Sequence, residues 1–304
     1  GLAGRTGPVT HPVHDAVVVG AGHNGLVAAA YLAQAGRDVA VIERDTVAGG
    51  ATSTVERFPG YRVDRGSSAH LMIRHSPVID ELRLTDAGLR YVDCDPWAFI
   101  PATASAPAIV FRTDLDATCA SIERACGAAD AAAYRRFVAT WTPRARAVMR
   151  AFYRPPTTGR FGTTFLGLDG TADTAWRGVV TRRTGRMAAL TQELMGSGDA
   201  LLDRWFSSEH LKAGLAWFGA QSGPPMSAPG TAPMVGFAAL MHTIPPGRAV
   251  GGSGALADAL ITRLTAHGGT VHLGTPARSI TRCGDHWRID AAGAPSRCTR
   301  VVIA

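Results

Sequence analysis

The hydrophobic pattern of the first fifty residues changes its period twice. The apolar run Ala16–Val19 predicts a buried strand. Small apolar residues then recur at helical spacing through Asn24–Ala35, and Gly36 follows as a helix stop. A second apolar run, Val39–Ile42, predicts another buried strand, which ends at the acidic residue Glu43. The pattern therefore predicts a βαβ unit with parallel strands.

The rest of the chain shows a helical middle and a return to strand patterns. In the middle, the predicted helices are Leu115–Cys126, Ala129–Phe152, Ala188–Met195 and Ala200–Phe206. Towards the C-terminus, the predicted elements are an amphipathic helix at Ala255–His267, a strand at Thr270–Leu273, a hairpin of Ser279–Arg282 with His286–Asp290, and a strand at Arg300–Ala304.

Glycine occupies the positions where the first strand turns into the helix. Gly20 allows a tight turn, Gly22 lets a pyrophosphate approach the backbone, and Gly25 lets the helix pack closely on the sheet. The helix N-terminus offers unpaired N–H groups to phosphates. Glu43 stands where a carboxylate would accept the ribose hydroxyls. Together these residues predict a dinucleotide site.

A second glycine pair, Gly49 and Gly50, distinguishes the pattern from that of an ordinary NAD domain. The run Glu43–Ala51 resembles the second glycine motif of flavoproteins. Further landmarks stand in family order at Gly20–Leu26, Pro59–Arg62, Pro229–Thr231 and Gly251–Leu256. Through these motifs and their order, the chain resembles the phytoene-desaturase-like FAD-dependent oxidoreductases, in the branch of the pyridine nucleotide-disulfide oxidoreductase domain 2 proteins.

The resemblance implies an α/β fold, in which an FAD-binding Rossmann-like domain of the glutathione reductase type is interrupted by a mixed, mainly helical substrate domain. Residues 1–13 would form a tail, 14–75 the first part of the FAD domain, 76–241 the substrate domain and 242–304 the second part of the FAD domain. The implied cofactor is FAD, with its pyrophosphate over Gly20–Gly25, its ribose at Glu43 and its adenine near Ala277. The implied cofactor-binding residues are Gly20, Gly22, His23, Asn24, Gly25, Glu43, Arg44, Gly49, Gly50, Ala51 and Ala277.

Few side chains are candidates for chemistry, because a flavin itself accepts the electrons. His70 and Ser68, with Ser67 beside it, stand in a loop that the resemblance places near the flavin. The chain shows no HExxH motif, no paired carboxylate motif and no zinc spacing, so we expect no metal site.

Two functions are open at this stage. The first is a dehydrogenase, desaturase or oxidase that moves a hydride from a lipophilic, polyene-like or secondary-metabolite substrate to flavin N5. The alternative is a non-catalytic binding or scaffolding subunit with the fold of Rab GDP-dissociation inhibitors. The middle region is rich in aromatic residues, which fit either an ordinary core or the lining of an apolar substrate cavity. They include Trp141, Trp176, Trp205, Trp217, Phe152, Phe161, Phe165, Phe206, Phe218 and Phe237.

Charge and cysteine content narrow the class of protein. The net charge is +7, but Lys212 is the only lysine and the arginines are scattered, so we expect no nucleic-acid partner. Five cysteines without a CxxC pair indicate reduced thiols and a cytoplasmic setting. No apolar run reaches the roughly 18 residues of a membrane span, so membrane contact would be peripheral at most.

The family comparison also predicts that the chain needs a complement. Related proteins continue beyond the strand at Arg300–Ala304 and end with a helix N-terminus at the flavin ring. We therefore expect either a C-terminal segment or a second chain that completes the fold. A fragment, a cleaved polypeptide and a natural subunit all remain open.

Overall fold

The computed structural model describes residues 13–153, 191–291 and 297–304. They divide into two compact units. The first comprises the described residues up to Val92 together with those of Gly247–Ala304, and the second comprises the described residues of Asp93–Pro246. Residues 1–12 of the predicted tail, residues 188–190 of the predicted helix at Ala188–Met195, and Trp176, Phe161 and Phe165 lie outside the described residues, whereas residues 191–195 are helical as predicted.

Strands and helices are numbered in chain order over the described residues. The strands are β1 His14–Val19, β2 Val39–Ile42, β3 Thr54–Phe58, β4 Tyr61–Asp64, β5 Tyr91–Asp93, β6 Ala98–Ile100, β7 Ile109–Phe111, β8 Gly247–Ala249, β9 Thr270–His272, β10 Ser279–Cys283, β11 His286–Asp290 and β12 Arg297–Ile303. The helices are α1 His23–Gln34, α2 Val78–Glu81, α3 Leu115–Cys126, α4 Ala128–Phe152, α5 Gly198–Trp205, α6 Glu209–Ala220, α7 Ala232–Gly236 and α8 Gly254–Ala266. Short 3-10 helices cover Gly50–Thr52, Met72–His75 and Phe237–His242.

A mixed sheet in the order β10-β11-β12-β1-β2-β9 forms the centre of the first unit. Strands β12, β1, β2 and β9 are parallel, and β10, β11 and β12 are antiparallel. In the register of the central strands, Val17 lies between Ala40 and Val301. Strands covered on both faces need apolar residues at every position, which is why β1 and β2 read as continuous apolar runs. The predicted α/β fold with a Rossmann-like domain is confirmed.

One hydrophobic core of the first unit contains residues of the sheet, α1 and α8. Small side chains on α1, among them Ala29 and Ala33, are fully buried there with Leu260 of α8. Leu82 and Leu89, from the segment that follows α2, lie in the same core. The first unit accordingly includes the segment up to Val92, and its second part begins at Gly247, whereas the sequence-based expectation places these boundaries at residues 75 and 242.

The second unit has an aromatic core built on α4. Tyr134, Phe137 and Trp141 are fully buried along one face of this helix. A Cβ atom added to Gly236 would lie 2.1 Å from the Trp141 ring, so a glycine lets α7 approach α4 closely. The predicted middle helices at Leu115–Cys126, Ala129–Phe152 and Ala200–Phe206 are confirmed, with shifts of up to two residues at their ends.

A buried carboxylate fixes the start of α6 within the second unit. Asp130 accepts hydrogen bonds from the backbone N–H groups of Ser207 and Ser208, each at 2.8 Å. This pairing compensates for the burial of the charge. No helix in the described ranges is both long and apolar enough to span a membrane.

Candidate functional site

The turn between β1 and α1 requires glycine at two positions for steric reasons. Gly20 has a φ of 111°, in the region that favours glycine. A Cβ atom added to Gly25 would lie 2.2 Å from the carbonyl oxygen of Gly20, so α1 begins in direct contact with the turn. Gly22 differs, since its φ is −66° and a Cβ atom there would meet nothing within 4 Å. The space in front of Gly22 is open to a ligand.

The second glycine pair packs against this turn. The N–H group of Gly49 donates to the carbonyl oxygen of Ala21 at 2.7 Å, and Gly49 forms a parallel bridge with Gly22. A Cβ atom added to Gly50 would lie 3.2 Å from the Cα atom of Gly22. The two glycine motifs identified in the sequence therefore form one backbone surface. Ala51 follows this surface and is exposed.

Both carboxylate oxygens of Glu43 accept backbone hydrogen bonds. Oε2 accepts from the N–H group of Ala21 at 2.7 Å, and Oε1 accepts from the N–H group of Asp45 at 2.9 Å. Each carboxylate oxygen has a second lone pair, so Glu43 can still accept ribose hydroxyls. The side chain links the glycine turn to the end of β2 and holds the carboxylate in place.

A cavity of about 490 Å³ lies in front of these groups in the first unit. An ion pair between Asp45 and Arg65 lies in its wall, and the hydrogen bond from Arg65 holds the pKa of Asp45 below its usual value. The volume is within the usual range of small-molecule sites. The predicted cofactor-binding residues that line it are Gly20, Gly22, Glu43, Arg44, Gly50 and Ala277. Of the others, Gly25 and Gly49 support the turn, His23 begins α1 and Asn24 is exposed.

Three polar residues that the sequence analysis missed fix the start of α8 in the first unit. Asp64 accepts from the Thr54 hydroxyl at 2.6 Å and from the backbone N–H of Ser253 at 2.9 Å. The Thr54 hydroxyl oxygen in turn accepts from the N–H group of Gly254 at 2.8 Å. The hydroxyl of Ser253 donates to the carbonyl oxygen of Ser67. Residues far apart in the sequence form this network, so no local motif could have predicted it.

The two catalytic candidates differ in their surroundings. Ser68 is exposed. His70 is buried with 5% of its surface exposed, and its Nδ1 lies 2.7 Å from the hydroxyl oxygen of Tyr91. Burial lowers the pKa of His70 below its usual value, so the imidazole is neutral at pH 7.

The aromatic residues of the second unit serve two purposes. Trp141 and Phe206 belong to the buried core, whereas Trp217 is 64% exposed. Trp217 and Phe218 line a cavity of about 390 Å³ together with Trp97 and Phe99, which the sequence analysis did not single out. The remaining lining residues are also apolar: Ala98, Ile100, Pro101, Phe111, Ala213, Gly214 and Leu215. The cavity is suited to a ligand with an apolar surface.

The described part of the chain contains no cluster of three or more His, Cys, Asp or Glu residues that could hold a metal ion. The five cysteines all belong to it and are free. Burial raises the pKa of the Cys119 and Cys298 thiols, which favours their uncharged form.

The observed groups fit a dinucleotide. The N-terminus of α1, the open space at Gly22 and a fixed carboxylate at the end of β2 are what a pyrophosphate and a ribose require. Residues 18–82 match the model of an NAD(P)-binding Rossmann-like domain.

Curated relatives match more of the chain. The pyridine nucleotide-disulfide oxidoreductase domain-containing protein 2 of Rattus norvegicus is 31% identical over 86% of this chain and 47% of its own length. Phytoene dehydrogenase of Streptomyces griseus is 37% identical over 47% of this chain and 28% of its own length. A limonene dehydrogenase component of Castellaniella defragrans is 39% identical over 36% of this chain and 20% of its own length. The chain thus spans about half the length, or less, of these relatives.

Solved structures share the fold. A putrescine oxidase variant has a TM-score of 0.56 at 18% identity, covering 96% of this chain and 57% of its own. The Rab GDI of Plasmodium falciparum has a TM-score of 0.58 at 10% identity, covering 97% of this chain and 66% of its own. The predicted resemblance is confirmed: the chain is a homologue of the pyridine nucleotide-disulfide oxidoreductase domain-containing protein 2 and of the phytoene dehydrogenases and desaturases, and its residues 18–82 match an NAD(P)-binding Rossmann-like domain.

Proposed function

We propose that the chain is the dinucleotide-binding part of an FAD-dependent oxidoreductase that acts on a lipophilic, polyene-like or secondary-metabolite substrate. The observation that carries the proposal is the single backbone surface formed by the two glycine motifs beside Glu43. The N–H group of Gly49 donates a hydrogen bond to the carbonyl oxygen of Ala21, and the N–H group of Ala21 donates one to the Glu43 carboxylate. Bound flavin would supply the electron acceptor that takes the hydride at N5.

Each group of the site has a distinct role in this proposal. Backbone N–H groups at the start of α1 bind the pyrophosphate, and Gly22 leaves room for its close approach. Glu43 accepts the ribose hydroxyls, while Arg44 and Ala277 lie in the cavity wall on the adenosine side. The turn depends on close backbone contacts at Gly20, Gly25 and Gly49, which a larger side chain would prevent. His23 and Asn24 begin α1, and Ala51 follows Gly50 in the short 3-10 helix.

An apolar ligand is supported by the 390 Å³ cavity of the second unit. Its lining is almost entirely apolar, and two relatives are named for phytoene and limonene. Because Trp217 is 64% exposed, Trp217→Ala should leave the free energy of unfolding within about 0.5 kcal/mol of that of the wild type. It should weaken binding of an apolar fluorescent probe several-fold. Unchanged probe affinity would remove this cavity from the proposal.

We also propose that turnover requires a complement, either a further segment or a second chain. The support is the length of the relatives, of which this chain spans 47% in the Rattus norvegicus protein. The chain with bound FAD should therefore reduce its flavin with substrate only when the complement is present. Sedimentation of the active species would show whether the complement is a separate chain.

The alternative is a non-catalytic binding subunit of the kind represented by Rab GDI. The likeness in fold supports it, with a TM-score of 0.58. The intact site argues against it, because a protein without a dinucleotide does not need Gly22 open and Glu43 fixed. Absorbance between about 350 and 500 nm, after incubation with FAD and removal of the excess, distinguishes the two: retained flavin bands support the oxidoreductase, and their absence supports the binding subunit.

A further inference from the structure

The charged side chains of the cavity at the glycine turn balance one another. Among the described residues that line it, Glu43 and Asp45 are acidic, and Arg44 and Arg65 are basic. A dinucleotide pyrophosphate is a dianion, and phosphates bind best where a cation donates to their oxygens. The N-terminus of α1 supplies only roughly half a positive charge. We therefore expect one of the two arginines to contact the phosphates.

Arg65 lies beside the glycine pair. Its N–H group donates to the carbonyl oxygen of Ser53 at 3.0 Å, and the N–H group of Ser53 donates to the carbonyl oxygen of Gly50 at 3.1 Å. A Cβ atom added to Gly50 would lie 3.2 Å from the Cα atom of Gly22, where the pyrophosphate is expected. Arg44 instead stands near the end of β2, on the side of the ribose and the adenine. The backbone of Arg65 is therefore tied to the part of the site that serves the phosphates.

The guanidinium group of Arg65 is held by the Asp45 carboxylate. Its Nη1 donates to Oδ2 of Asp45. Asp45 is itself fixed by its backbone, since its N–H group donates to Oε1 of Glu43 at 2.9 Å and its carbonyl oxygen accepts from the N–H group of Gly274 at 2.8 Å. The carboxylate therefore keeps the guanidinium group in the cavity wall.

A contribution to stability does not explain this ion pair. The Arg65 side chain is 40% exposed and the Asp45 side chain is 36% exposed, and ion pairs at such exposure stabilise a fold little. A guanidinium group has five N–H donors in a planar fork, and Asp45 is its only hydrogen-bond partner in the described ranges. The donors that Asp45 leaves unused can bind a phosphate oxygen without breaking the pair.

We propose that Arg65 binds the pyrophosphate of the dinucleotide, and that Asp45 is the positioning residue that holds its guanidinium group there. The inference rests on the proposed function, because it takes the Glu43 cavity as the dinucleotide site. It adds a charged side chain to a phosphate site that is otherwise built from backbone N–H groups. The guanidinium group remains charged at every working pH, so the contact does not depend on titration of Arg65.

The first test is calorimetric titration with FAD. Arg65→Met should raise the dissociation constant about tenfold to a hundredfold, the effect of losing a hydrogen bond between charged groups. Arg65→Lys keeps the charge but loses the planar fork, so its affinity should lie between those of the wild type and Arg65→Met. The matched control is Arg62→Met, which removes an exposed arginine of β4 outside the cavity lining and should stay within about twofold of the wild type. Equal affinity of Arg65→Met and the wild type would overturn the proposal.

The second test separates a direct contact from a change in net charge. The double variant Arg65→Met/Asp45→Asn has the same net charge in the cavity as the wild type. If Arg65 only neutralises Asp45, this variant would bind FAD as tightly as the wild type, and the proposal would be overturned. With a direct contact it should stay at least about fivefold weaker than the wild type, although tighter than Arg65→Met alone.

The third test identifies which group of the nucleotide Arg65 binds. Arg65→Met should weaken binding of adenosine diphosphate about tenfold or more and leave adenosine within about twofold. An equal loss for adenosine would assign Arg65 to the nucleoside and overturn the proposal. NAD and NADP distinguish the other source of phosphate. A loss confined to NADP would assign Arg65 to a ribose 2′-phosphate and would also overturn it.

The outcomes separate this inference from the proposed function. If the wild type binds FAD and Arg65→Met binds it equally well, only the role of Arg65 is wrong. A wild-type chain that binds neither FAD nor adenosine diphosphate overturns both proposals. If Arg65→Met fails to fold by circular dichroism, Arg65→Lys and the double variant decide, because neither leaves Asp45 as an unpaired anion. Weaker FAD binding in both supports the contact, and wild-type affinity in both overturns it.

Discussion

Alanine at Gly22 and alanine at Gly25 should have opposite effects on folding and on binding. The two positions stand three residues apart, and both belong to the turn at the start of α1. At Gly22 the backbone already has φ −66° and ψ 165°, which alanine adopts freely, and a Cβ atom would point into open space beside the cavity. At Gly25 the Cβ atom would lie 2.2 Å from the Gly20 carbonyl oxygen.

The magnitudes follow from these contacts. Gly22→Ala should change the free energy of unfolding by less than about 1 kcal/mol, since the reduced chain entropy of the unfolded state opposes a poorer N-cap. Its methyl group occupies the space that a pyrophosphate needs, so FAD affinity should fall by about tenfold to a hundredfold, or roughly 1.4–2.8 kcal/mol. Gly25→Ala should lose about 2–3 kcal/mol of stability through overpacking, although alanine is the better helix former.

Urea unfolding and calorimetric titration with FAD, both on the same preparations, test the pair. Gly22→Ala serves as the folding control for Gly25→Ala, and the binding loss in Gly22→Ala is measured in a protein of normal stability. If Gly22→Ala binds FAD with wild-type affinity, the pyrophosphate does not lie over this turn. If Gly25→Ala is as stable as the wild type, α1 does not approach the turn this closely.

Three further predictions concern the polar groups. Glu43→Gln should weaken FAD binding about tenfold and cost about 1.5–3 kcal/mol of stability. Both the Ala21 and the Asp45 N–H groups lose a charged acceptor, and one of them then faces the amide NH2 group; unchanged flavin content and stability would remove Glu43 from the site. Asp64→Ala should lower the free energy of unfolding, measured in urea, by about 2–4 kcal/mol, since the Thr54 hydroxyl and the Ser253 N–H both lose their acceptor. Asp64→Asn keeps a carbonyl oxygen at this position, so it is the control and should lower the free energy of unfolding less. Burial lowers the pKa of His242 below the 6.5 expected in the unfolded chain, so the unfolded state takes up the proton at a higher pH than the folded state. The free energy of unfolding should therefore fall as the pH drops below about 6.5, by at most about 1.4 kcal/mol per pH unit. His242→Gln should flatten this slope, and a stability that rises on acidification would contradict the lowered pKa.

The part of the fold that the sequence could predict is the part governed by local pattern. β1, α1 and β2 follow from apolar runs and glycine spacing, and the hairpin of β10 and β11 follows from Gly284-Asp285 between two alternating segments. A βαβ unit brings the carboxyl ends of its parallel strands to one edge of the sheet. For this reason the sequence could predict that Glu43 lies beside the first glycine motif and the diglycine.

The features that the sequence did not reveal depend on contacts between distant residues. Asp64, Thr54 and Ser253 meet although nearly two hundred positions separate Asp64 from Ser253. Leu82 and Leu89 extend the first unit because they are buried in its core, and nothing in their local pattern distinguishes them from residues of the second unit. Trp97 and Phe99 line the apolar cavity through the short strands β6 and β7, which are too short to give a periodic signal.

The nucleotide that the purified chain retains identifies the cofactor of the Glu43 cavity. The protein should be incubated with equal concentrations of FAD, NAD and NADP, freed of excess by gel filtration and denatured, and the released nucleotide should be identified by chromatography. We expect FAD at close to one per chain in the wild type and a clear deficit in Glu43→Ala and Gly22→Ala. Release of NAD or NADP alone, or an equal amount of FAD in all three proteins, would contradict it.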